Sequence, residues 1–277
     1  MPIITVSRGS MSGGKAFAEC VAAALGVPCV GREILIDAAA KLGVPEQVLA
    51  KKMERGPGLW ERLTLERRVY VAAVQAALAE QIATGNLVYH GLAGHMLLRH
   101  VPAVLRLRLI APLEVRIHKV MELQGLTRSA AESYINDVDA DRLRWTRFMY
   151  DVDLRDPQLY DLVINIEKMS IPTACAMIVE AAKKPEFVVT ESVRASLADF
   201  SVECRVRVAF ATQPASRGLD LDVSVKNGVV FMSGEVPRAI MLAHTSSRWE
   251  QDLTQIAESV AGVVRAELNI DTFDAYH

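Results

Sequence analysis

The chain has no long apolar run: nowhere do about 18 consecutive apolar residues occur, the length a membrane-spanning helix requires. Its start lacks a basic segment ahead of a hydrophobic stretch, since Ile3-Ile4-Thr5-Val6 is stopped at Arg8, so a secretory leader is not expected and the reading is cytoplasmic. Cysteine is scarce, with four residues, and Cys20, Cys29, Cys175 and Cys204 show neither C-x-x-C spacing nor pairing with histidine. That excludes a zinc finger or a disulfide framework and leaves them as small buried hydrophobes. Charge of one sign is lacking as well. Lys and Arg number 31 against 33 Asp and Glu, a net of -2, so no electrostatic field calls for nucleic acid. Aromatics are only 6%.

What is present is 51% hydrophobic residues in 277, enough for two modest domains at roughly 100–200 residues each. The first is organised around Ile3-Ile4-Thr5-Val6-Ser7-Arg8-Gly9-Ser10-Met11-Ser12-Gly13-Gly14-Lys15. A β-branched run, a Gly/Ser loop and an amphipathic helix follow one another. In that order the loop amides and the helix N-terminus face one concavity that attracts anions. Against G-x-x-x-x-G-K-[ST], the loop supplies Gly9, Gly14 and Lys15, with Ala16 where a metal-binding hydroxyl stands. Ser10 or Ser12 is the available substitute, and Ser12 is taken as the candidate magnesium ligand.

Farther along, Phe17, Ala18, Val21 and Leu25 recur at helical spacing to Gly26, and Val27 to Val30 reads as a second strand. Helices are expected over 34–39 and 45–53, a break at Gly56-Pro57-Gly58, and a long helix from Trp60 to about Ala83. Leu87 to Gly91 and Val104 to Ile110 read as buried strands, Pro112 opens a helix, and Thr127 caps the next. That last helix carries Asp139 and Arg142 beside Trp145, Phe148 and Tyr150. Tyr160 to Asn165 is a further strand and Ser170 caps a helix to Lys183. Strands alternating with helices imply a parallel sheet whose ligand sits beyond the strands' carboxyl ends. His90, His95 and His100, spaced by five, do not share a helical face and read as ordinary histidines.

Over about residues 1–183 these segments resemble the cytidylate kinase-like family, relatives of nucleoside monophosphate kinases. Ile4 to Arg8 with Ser12-Gly13-Gly14-Lys15, Gly91, Ala111 to Ile117, Asp139 with Arg142, and Tyr160 to Asn165 carry the likeness. It implies a P-loop NTPase-type parallel sheet flanked by helices, with Gly9, Ser10, Ser12, Gly13, Gly14, Lys15 and Ala16 around ATP phosphates and magnesium as the accompanying cation. It also implies substrate contacts at Arg8, Arg32 and Gly91, and a catalytic group of Lys15, Arg116, Arg142 and Asp139, with Asp139 orienting the arginines. The chain departs from the family at Gly31, where an acidic residue is usual, and at Leu92, where an arginine meets the acceptor phosphate. Together with Ala16 these favour a rival reading, a catalytically impaired nucleotide sensor, over phosphoryl transfer.

Lys183-Lys184-Pro185-Glu186 marks a boundary. Thr190 to Ala198 reads as a short helix and Val202 to Phe210 as a strand, alternating at Cys204, Val206 and Val208. Asn227-Gly228 joins two alternating runs as a hairpin, and a helix through Trp249 and Leu253 precedes a last strand. This segment, 187–277, resembles a BON domain, a smaller α/β module. The resemblance implies a protein partner, a small ligand or a membrane surface, and a second copy of the chain is a further candidate partner.

Overall fold

The computed structural model describes residues 2–33, 64–91, 93–216, 219, 221–237 and 249–273. The expected helices over 34–39 and 45–53, the break at 56–58, the start of the long helix and Leu92 lie outside the described residues.

Five strands form a wholly parallel sheet in the order β2-β3-β1-β4-β5: β1 (Ile3–Arg8), β2 (Cys29–Gly31), β3 (Leu87–His90), β4 (Val104–Ile110) and β5 (Leu162–Asn165). Their β-branched and leucine-rich sequences suit strands covered on both faces. On one face Ile4, Val6, Val88, Leu105, Leu107 and Leu109 pack against α1 (Gly14–Leu25). That face also meets the helix of Ala174, Cys175 and Ile178. On the other face Ile3, Leu87 and Tyr89 meet α2 (Thr64–Ile82) and the short α3 (Gly94–Leu97). Two more helices follow β4, α4 (Leu113–Gln124) and α5 (Arg128–Tyr150), and α6 (Ile171–Ala182) follows β5. Thr127 and Ser170 cap α5 and α6 through side-chain oxygens that accept from Ala130 and Thr173 amides, as the sequence leads one to expect.

The C-terminal part corrects one expectation. Glu191–Thr212 is a single 22-residue helix, α7, in place of a short helix and a strand. Leu197, Phe200, Cys204 and Val208 join the core built around α2, while Val202, Val206 and Phe210 join a separate core under a second sheet. Two stripes of four-residue spacing, offset by two residues, lie on opposite sides of a helix and interleave into the alternation that a strand would show. The second sheet, β6 (Leu221–Lys226), β7 (Val229–Pro237) and β8 (Arg265–Phe273), has the order β6-β7-β8. The hairpin β6-β7 turns at Asn227-Gly228, both with positive φ, and helix α8 (Trp249–Glu258) precedes the parallel β8. Asp199 of α7 accepts from both turn amides, at 2.9 and 3.0 Å.

Candidate functional site

The loop between β1 and α1 is fixed from below. The Gly9 amide donates to the Leu109 carbonyl at 3.3 Å, and the Ser12 hydroxyl donates to the Gly9 carbonyl at 2.9 Å and approaches the Leu109 carbonyl at 3.3 Å. Met11 and Gly13, at φ 55° and 73°, swing the chain into α1. Gly13 caps the helix without a side-chain acceptor. The first amides of α1, on Gly14, Lys15 and Ala16, have no carbonyl one turn behind them, so they face the loop as donors. Ser12, 1% exposed, braces the loop through these carbonyls, and the oxygen that donates to them keeps its lone pairs.

Gly14 is glycine for a second reason. A Cβ there would stand 2.4 Å from Cδ of Arg8, so Arg8 runs beneath the start of α1. Lys15 extends on the solvent side, with Nζ 3.8 Å from Glu19.

Three residues of α4 and α5 gather beside the loop. The Asp139 carboxylate of α5 accepts from the Ser10 amide at 3.1 Å and the Ser10 hydroxyl at 2.7 Å, and from Arg116 Nη1 of α4 at 2.5 Å. Arg116 also reaches the Ser10 hydroxyl at 3.2 Å. Burial pulls the Asp139 carboxyl upward, but these hydrogen bonds outweigh it and hold the group below the usual carboxylate range. Arg142 lies behind them. Burial, then repulsion from Arg8, lowers its affinity for its proton, against support from Asp139. Its Nη1 and the Nε of Arg116 are buried without a partner among the described residues. Arg32, after β2, lies near enough to Arg142 to add to the repulsion and also to hydrogen-bond Tyr70 of α2.

The structure thus brings Ser10, Arg116, Asp139, Arg142, Arg8 and Arg32 to the carboxyl ends of β1, β2 and β4, while Lys15 stands at the rim. Gly91 has the Tyr89 ring against it, so that a Cβ there would meet the Tyr89 hydroxyl. His90 lies at the same edge of the sheet. It pairs in register with Val6 and Gly31, and a Cβ on Gly31 would come within 2.3 Å of Glu33 Oε2 and 3.2 Å of His90 Nε2. Burial first, then Arg8, lowers its basicity, and Glu33 opposes them.

No group of three His, Cys, Asp or Glu suited to a metal occurs among the described residues. Ala16 lacks a hydroxyl, so the oxygen groups at the mouth that would hold a magnesium ion are the Ser12 hydroxyl and the Asp139 carboxylate.

A parallel sheet of this order, with a glycine loop opening α1 and arginines on two following helices, defines a P-loop kinase-type nucleotide-binding fold. The sequence matches the model of the cytidylate kinase-like family over residues 3–168, and the chain belongs to that family. It is 30% identical over 173 residues to a cytidylate kinase of Methanopyrus kandleri, covering 61% of this chain and 86% of that protein. It is 29% identical over 184 residues to a cytidylate kinase of Pyrococcus horikoshii, covering 65% and 87%. Among solved structures, an uncharacterized protein from Eubacterium ventriosum superposes with a TM-score of 0.50 at 20% identity, covering 65% of this chain and 98% of that one. At that identity the likeness speaks for the fold alone.

Proposed function

We propose that the N-terminal region binds the polyphosphate of ATP in the loop of residues 9–15 and transfers its terminal phosphoryl group to a nucleoside monophosphate. The observation that carries this reading is the arginine cluster: Arg142 and Arg116 hold buried, unpartnered nitrogens beside an open helix N-terminus, and Asp139 is the carboxylate bonded to Arg116. Desolvated guanidinium without matching negative charge is costly, and a bound polyanion relieves that cost.

In this reading Gly13, Gly14 and the first α1 amides cradle the phosphates, Lys15 swings from Glu19 onto the outer ones, and Arg116 and Arg142 neutralise the charge that develops between donor and acceptor. An oxygen of the acceptor phosphate forms the new P–O bond as the bridging P–O bond breaks and its electron pair leaves on ADP. Arg8 and Arg32 hold the acceptor phosphate. Lys15→Ala should lower phosphoryl transfer by roughly a hundredfold or more, measured by a coupled assay across all nucleoside monophosphates. Undiminished turnover in that variant rejects the assignment.

A nucleotide sensor is the second reading. Ala16, Gly31 and Leu92 favour it, because each lacks the hydroxyl, acidic or guanidinium group that the family resemblance implies for transfer. Calorimetric binding of ATP with magnesium, together with absence of turnover for every acceptor, supports the sensor. Residues 187–277 are read here as a BON-like module. On the solvent side of its sheet Asp222, Glu235, Glu267 and Asp271 outnumber Lys226 and Arg265, which weighs against an anionic membrane as its partner and for a protein or small ligand.

A further inference from the structure

We propose that phosphate entering the glycine loop is felt in the C-terminal sheet through one packed path, from Asp139 along α5 to α2 and from α2 to α7, so that nucleotide occupancy sets the state of the C-terminal module. The proposal rests on the nucleotide-binding reading above and adds to it the direction in which occupancy is reported.

The trigger is a competition. The Asp139 carboxylate holds the Ser10 amide and hydroxyl, the first donors of the loop, and Arg116 holds Asp139 from the other side. A phosphate is a stronger claimant for both the amide and the guanidinium, because it carries more charge on more oxygens. When it enters, Asp139 must leave Ser10.

The helix that carries Asp139 reaches the core on the far side of the sheet. Asp139 sits on an unbroken 23-residue helix that runs on to Tyr150, about 16 Å farther at 1.5 Å per residue. In the proposed relay a shift of this helix at the Asp139 end is carried to its far end. At its far end the Trp145 ring meets Tyr70 of α2 edge-on, with centroids 6.1 Å apart and planes at 84°, and meets Tyr150 at 5.9 Å. Met149 is buried in the same core.

From α2 the path divides into two contacts with the C-terminal part. Leu197, Phe200, Cys204 and Val208 of α7 pack into the core that α2 builds, and Arg68 of α2 donates to the Leu219 carbonyl at 3.1 Å, two residues before β6. The opposite stripe of α7 is the floor of the second sheet, and Asp199 grips its hairpin turn. Close-packed interiors resist continuous deformation, so a shift of α5 against α2 is passed on as a change of packing. Coupling along the path is read as a change at its far end when the loop is occupied.

Hydrogen exchange on the full chain, with and without ATP and magnesium, measures it. Exchange should slow by about threefold or more at residues 9–17, and should change by a comparable factor across 191–212 and at the turn 227–228. Trp145→Ala, which removes the α5–α2 ring contact, should keep the response of the loop and lose that of α7, and Trp145→Phe should retain both. By reciprocity Phe200→Leu on the kinase-facing side of α7 should shift the nucleotide Kd by about threefold or more. Protection confined to the loop in the wild type, or full transmission in Trp145→Ala, overturns the relay and leaves nucleotide binding standing. No protection at the loop rejects nucleotide binding itself, and the relay falls with it.

Discussion

Single atoms decide what the loop can hold. Gly14 leaves space for the Arg8 side chain, and Gly14→Ala would drive a methyl to 2.4 Å from Arg8 Cδ, displacing a site arginine at the mouth of α1. Asp139 has a measurable pH signature. Its folded value is depressed, so its contribution to stability is complete above the unfolded value of about 3.9 and is lost as pH falls through the folded value. Asp139→Asn should remove that part of the acid limb in a melting series. His95 behaves in the same direction over a higher range. Burial, then Arg106 and Arg108, pushes its imidazole down to about 3, while the unfolded side chain titrates at about 6.5. The unfolded chain therefore takes up the proton first. Stability should decline as pH drops from about 6.5 toward about 3, and His95→Phe should flatten that decline without changing stability's trend at neutral pH. Of the residues read from sequence as a phosphate site, Arg116 and Asp139 meet at Ser10 because their helices α4 and α5 fold back over the loop, a proximity of chain positions far apart that no spacing rule reveals.

At the scale of elements α7 stands out, because it serves two cores at once. Phe200→Ala, on the face toward α2, should cost about 3–5 kcal/mol in urea unfolding. Val206→Ala, on the face toward the second sheet, should cost roughly 2 kcal/mol. Were this segment a strand, with Val206 and Val208 on one face, the two sites would belong to one layer. The sequence reading failed here for a stated reason, since two interleaved helical stripes reproduce a period of two. The Glu203 and Arg207 pair, four apart and bridged at 2.9 Å, was the helical signal hidden between them. Elsewhere the local signals sufficed. The caps at Thr127 and Ser170, the turn at Asn227-Gly228 and the apolar strand runs each act over a few residues, so they are readable without the fold.

For the whole molecule, a helix packed into both cores leads to the expectation that the two parts unfold together. Heating the full chain should give one cooperative calorimetric transition whose van't Hoff and calorimetric enthalpies agree, and two resolved transitions would show that α7 does not join the cores. Among the described residues no helix is long and apolar enough to cross a membrane, in keeping with the absence of an apolar run in the sequence.

The order of strand, glycine loop and helix, the alternation that makes a parallel sheet, and the match of residues 3–168 to the cytidylate kinase-like family were determined by the sequence, because backbone propensity and loop chemistry are local. Only the tertiary structure decided that Asp139 sits on the Ser10 amide, that Ser12 is a brace, that Arg142 is buried with an unsatisfied nitrogen, and that one helix closes both cores. Those features depend on which surfaces meet after the chain folds back on itself, and the free energy that selects such meetings is spread over residues with no fixed spacing along the chain.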